Sequence, residues 1–132
     1  MDRDFEASLP TLDAGEFASM RSLARPFSLV ILKKGPAFGS PDLADLADPV
    51  TSVIYAHGMR NAQLFKAGIM PVICPVSGDP KMAGVGVIDR APQEASQIME
   101  ADPAIKAGIL VYEIYPTATF TIPERPSAES VA

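Results

Sequence analysis

Apolar residues recur along this chain with three different rhythms, and each rhythm predicts an element. In FSLVILKKG, residues 27–35, four consecutive apolar residues from Leu29 to Leu32 suit a strand buried on both faces, stopped by Gly35-Pro36. Ser40 before Pro41 reads as an N-cap with proline at the first helical position, and Asp48-Pro49 repeats the device. A short helix near 41–47 and a longer one near 49–67 follow. The longer one sets Val50, Val53, Ile54, His57, Leu64 and Phe65 three and four residues apart, and Gly68 closes it. PVICPVSG is a second strand, in which Pro71 and Pro75 argue for an edge or bulged position. Gly78-Asp79-Pro80 turns the chain into a third strand, MAGVGVID. There Ala83, Gly84 and Gly86 are small enough to admit a close backbone or a ligand. PQEASQIMEA is a second long helix with Ala95, Ile98 and Met99 facing inward. GILVYEIYP alternates as a fourth strand.

The order is β-α-β-β-α-β, which predicts an α+β fold of the ferredoxin-like kind: a four-stranded antiparallel sheet with helices on one face. The other face needs a cover. Residues 1–25 are too few and too polar to supply one, so a second copy is the economical solution, and a homodimer with facing sheets, an α+β barrel-like dimer, is expected. Asp13 can cap a helix over 14–24 with Phe17, Met20, Leu23 and Ala24 on one side, so residues 1–25 read as an N-terminal arm. The domain proper spans 26–122. The polar tail PERPSAESVA, 123–132, reads as disordered.

Composition narrows the function classes. A chain of 132 residues, 48% hydrophobic, holds one domain with a modest core, and 13 prolines, mostly at segment edges, suggest short elements. The net charge is −5 and the only basic doublet of note is Lys33-Lys34, which argues against a nucleic-acid partner. No apolar run approaches the ~20 residues that span a bilayer. The acidic start MDRDFE lacks a signal-peptide core, and the single cysteine, Cys74, has no disulfide partner. A cytoplasmic setting without membrane contact is therefore expected. One histidine and one cysteine make no zinc set, so no metal is expected. Gly84-x-Gly86 lacks the third glycine and the helix of a dinucleotide fingerprint.

Two residues carry the candidate chemistry. Asp102 opens DPAIKAG, where the following proline biases it away from helix and a capping role is worth about 1 kcal/mol by itself. Asp48-Pro49 and Asp79-Pro80 share the dipeptide with no chemistry attached. His57, the only histidine, lies on an apolar stripe where a charged imidazole needs a partner. A carboxylate at its ring nitrogen would fix its tautomer and favour imidazolium, a combination suited to taking up and returning a proton. Cys74 reads as a core thiol. Ser77, Lys33 and Tyr112 are further candidates for a pocket wall, with solvated or structural roles as the simpler account of each.

Three stretches give the chain a family resemblance over about residues 27–116: FSLVILKKGP, HGMRNAQLFKAG with Pro75 beyond it, and DPAIKAG. Together they resemble the YciI-like (YCII-related) family of small dimeric α+β barrel proteins. The sequence departs from that pattern at Cys74, where the family has glycine, and at Gly58-Met59, where bulkier helix formers are usual. The arm lies outside the family core. The resemblance implies a His57–Asp102 acid–base dyad in a pocket. Cys74, Pro75 and Ser77 are the candidates for substrate contact at its wall, and no cofactor is expected. Some relatives are lyase-like enzymes, including a dehydrochlorinase of aromatic degradation. The expectation is thus proton transfer, as isomerisation or elimination, on a small aromatic or cyclic metabolite. The alternative is a non-catalytic homodimeric module that binds a small molecule or a partner.

Overall fold

A computed structural model describes residues 3–39 and 48–119. In chain order the elements are α1 (Arg3–Ser8), α2 (Ala14–Ser22), β1 (Arg25–Lys34), α3 (Asp48–Lys66), β2 (Val72–Pro75), β3 (Met82–Ile88), α4 (Pro92–Glu100), α5 (Pro103–Lys106) and β4 (Leu110–Thr119). The four strands form one antiparallel sheet in the order β2-β3-β1-β4. Since β3 lies antiparallel between β1 and β2, the crossover through α3 joins parallel strands with one strand between them. The crossover through α4 and α5 does the same for β3 and β4. The predicted helix at 41–47 and the tail from 123 lie outside the described residues.

Strand alternation sorts the sheet into two faces. Val30, Leu32, Ile88 and the paired Gly84 and Gly86 point toward the helices. There Val30, Leu32 and Ile88 pack with Met70, Ala95 and Met99 into the main core. A second cluster, Phe38, Ala104, Ile109 and Leu110, sits where α5 meets the start of β4. Leu29, Ile31, Val85, Val87, Val111 and Tyr115 occupy the opposite face, where Val111 and Tyr115 are exposed. Lys33 and Glu113 form an ion pair on that same face.

Three boundaries differ from the sequence reading. β4 runs three residues beyond Pro116, because β4 is an edge strand where proline's missing N–H need not break the ladder. β2 is only four residues long and stops at Pro75. The arm holds two helices, not one. Asp13 caps α2 as expected, in a capping box with Glu16, but no α2 residue is buried. Phe5, Leu9, Leu12, Phe17, Met20 and Leu23 all stay exposed.

Candidate functional site

The segment ADPAIKAG folds as one complete helical turn with both ends capped. Asp102 is the N-cap of α5: its Oδ1 accepts the Ala104 N–H at 2.8 Å, and Pro103 occupies the first helical position. Gly108, with φ of 72°, closes the turn: its N–H donates to the Ile105 carbonyl and that of Ile109 to the Ala104 carbonyl. This is a Schellman closure, which glycine adopts without the steric penalty of a Cβ. Two further bonds anchor the turn to the end of β1. Gly35 N–H donates to the Ile109 carbonyl at 2.7 Å and Ala37 N–H to the Gly108 carbonyl at 3.0 Å. A Cβ at Gly35 would collide with the Gly108 carbonyl oxygen, so the clasp requires glycine there.

Capping uses only one carboxylate oxygen. The other, Oδ2, lies 2.7 Å from His57 Nδ1. Asp102 is fully buried and His57 only 9% exposed, so this contact is shielded from water. Burial pushes the Asp102 carboxyl upward, but the His57 hydrogen bond and charge, the Ala104 N–H and the Arg60 guanidinium together hold it below the usual carboxylate range. An ionised carboxylate has no proton to give, so Nδ1 carries the hydrogen and donates it. In the neutral form of the ring, this bond selects the tautomer whose lone pair is on Nε2. Asn61, one turn further along α3, places its Nδ2 3.2 Å from Nε2, where it donates to the lone pair of the neutral ring.

The α3 stripe explains why these side chains meet. Val50, Val53, Ile54, His57, Asn61 and Leu64 follow helical spacing on the side packed inward. Arg60 lies beside the stripe: its Nη2 donates to the Ile98 carbonyl at 2.8 Å, tying α3 to α4. Its Nη1 lies 3.7 Å from Asp102 Oδ2, close enough for charge attraction but too long for a hydrogen bond.

A cavity of about 1090 Å³ opens beside His57 and Asn61. Ile54, Phe65, Met70 and Ile73 make much of its wall apolar, and Gly84 and Gly86 form its floor against the sheet. A Cβ at Gly86 would approach Met70 Sδ to 3.3 Å, so the glycine makes room for Met70 against the sheet, a close approach of the kind the small residues of β3 suggested. Cys74, Pro75 and Ser77 line the same cavity as His57, while Asp102 lies behind the histidine and is not part of the lining. Cys74 is exposed, not the core thiol expected. Ile73 faces the helices, so alternation along the short edge strand turns the Cys74 side chain toward the opposite face, that of its β3 partner Val85, although both residues also border the cavity.

Two other candidates fall away from the cavity. Lys33 is on the opposite sheet face with Glu113. The Tyr112 hydroxyl hydrogen-bonds to Glu100 and Ser96 on α4. Among the described residues, no group of three His, Cys, Asp or Glu side chains is placed to hold a metal ion. None of the described helices is long and apolar enough to cross a membrane. Asn61 and Arg60 were missed in the sequence; the available signal was their position four and three residues after the only histidine, which puts Asn61 on the same helical face. No protein-family model matches the chain, and no curated protein matches it.

Proposed function

We propose that this protein is a YciI-like proton-transfer enzyme that works with its own side chains alone, acting by isomerisation or elimination on a small aromatic or cyclic metabolite. The observation that carries this reading is the buried 2.7 Å contact between His57 Nδ1 and Asp102 Oδ2, set at the wall of a largely apolar cavity. In the reaction, Nε2 takes a proton from an activated C–H, leaving a delocalised carbanion. The carbanion is then either reprotonated at another carbon or expels a leaving group as its anion. Asp102 stabilises the imidazolium formed midway and holds the ring in register. The apolar wall suits a ring-bearing substrate, and the strand order with two split crossovers supports the ferredoxin-like assignment.

The same reading makes the protein a cytoplasmic homodimer joined sheet to sheet. The half-exposed apolar residues on the face away from the helices support that arrangement.

One observation favours a second reading, in which the dyad is a structural strut and the cavity only binds. Nε2 is already hydrogen-bonded to Asn61, so every polar atom of the imidazole has a protein partner. Proton exchange separates the two readings. A panel of aryl ketones and nitroalkanes in deuterated water, followed by NMR, should show exchange catalysed by the wild type. His57→Gln should lose about 10²–10⁴-fold, with an unchanged dimer by sedimentation. Equal exchange by wild type and His57→Gln rejects the enzyme reading.

A further inference from the structure

We infer that Asn61 is a positioning residue whose side-chain amide turns over with the protonation state of His57, donating to Nε2 when the ring is neutral and accepting from it when the ring is charged. The inference rests on the proton-transfer reading of the dyad and adds to it a group that serves both halves of the cycle.

The geometry supplies three parts of the argument. Asn61 Nδ2 lies 3.2 Å from Nε2, the ring nitrogen left with a lone pair once Nδ1–H is committed to Asp102. Asn61 is 7% exposed, so water does not readily replace this partner. The far end of the amide, Oδ1, is buried with no hydrogen-bond partner among the described residues. Its orientation is therefore set by His57 alone, since no second bond pins it.

An amide is nearly symmetric in shape, so exchanging its oxygen and nitrogen changes little volume. The hydrogen bonds decide between the two orientations. Against neutral imidazole the NH₂ end is the only one that can bond. Once Nε2 gains a proton, that end would oppose N–H against N–H, and the oxygen end becomes the complementary one. The resulting bond to a cation is stronger than the neutral bond it replaces.

The other charged groups around His57 do not supply this acceptor. Asp102 already holds Nδ1, and Arg60 brings positive charge from the same helix. Lys34 and Asp79 belong to the cavity wall at the end of β1 and the turn before β3. A substrate that reaches Nε2 must displace the amide, so it meets either a donor or an acceptor there according to where the proton is.

The test is ¹⁵N NMR of the full chain across pH, reading the His57 ring nitrogens and the Asn61 side-chain amide in wild type, Asn61→Leu and Asp102→Asn. In wild type the Asn61 amide resonances should move with the His57 midpoint. Asn61→Leu should lower that midpoint by about one pH unit, because the cation loses its acceptor, while the neutral ring keeps its proton on Nδ1. A raised midpoint in Asn61→Leu would show a fixed donor and overturn the inference. Should the leucine variant not fold, a wild-type amide that ignores the His57 titration overturns it equally. Asp102→Asn separates this from the dyad itself: a midpoint that responds to Asp102→Asn but not to Asn61→Leu rejects only the role of Asn61.

Discussion

Two Asp-Pro turns lean on the same end of β1, and they use their carboxylates differently. Asp79 Oδ1 accepts both the Lys81 and Met82 N–H groups, at 2.8 and 2.6 Å. Those backbone bonds are the main reason its carboxyl sits below the usual range, ahead of the charges of Lys34 and Lys81. Asp102 gives one oxygen to Ala104 N–H and the other to His57. The turns are also held alike: Lys34 N–H donates to the Lys81 carbonyl and Gly35 N–H to the Ile109 carbonyl. The dipeptide thus makes a turn in both places. What converts one of them into a candidate site is burial beneath α3, which closes over Asp102 and brings His57 to its second oxygen.

Removing each carboxylate should break this symmetry most visibly. Asp102→Ala leaves His57 without its buried partner and Ala104 N–H without an acceptor, and should cost about 3–5 kcal/mol in urea denaturation. Asp79→Ala removes bonds that water can replace, so its loss should be far smaller. Equal losses would mean that turn formation, not burial against His57, sets the importance of both residues.

Acid should sharpen the contrast at intermediate size. A carboxyl held low in the folded state contributes stability that is complete above its unfolded pKa of about 3.9 and is lost as pH falls through the folded value. Stability should therefore fall below about pH 4, and Asp102→Asn should flatten that decline by removing its share. The same slope in wild type and Asp102→Asn would assign the acid sensitivity to other carboxylates.

Much of this arrangement was legible in the sequence because it rests on local rules. Capping by Asp13, Asp102 and the closing glycines, the α3 stripe and the four strands all follow from periodicity and turn chemistry. The pairing of His57 with Asp102 joins positions 45 residues apart, so spacing alone did not give it; the resemblance suggested it. Asn61 escaped notice because a polar residue on a helix reads as solvated until its face is known. The exposure of Cys74 is not legible in the sequence, because an apolar-looking strand does not reveal which alternate position faces the helices. The arm's helices carry little signal of where they sit, since their large apolar residues stay exposed.

The smallest expected effect is the most demanding check on the comparison. Asp79→Asn keeps an oxygen that can accept from Lys81 and Met82 and removes only a half-buried charge. It should leave the His57 titration midpoint where the wild type has it, while Asp102→Asn moves it. Asp79 is nevertheless connected to the site, because Lys34 Nζ donates to its carbonyl and Lys34 belongs to the same cavity wall. If Asp79→Asn shifts the His57 midpoint as far as Asp102→Asn does, charge is acting across the cavity through the shared end of β1. Burial under α3 would then not be what separates the two turns, and the site would have to be redrawn to include both.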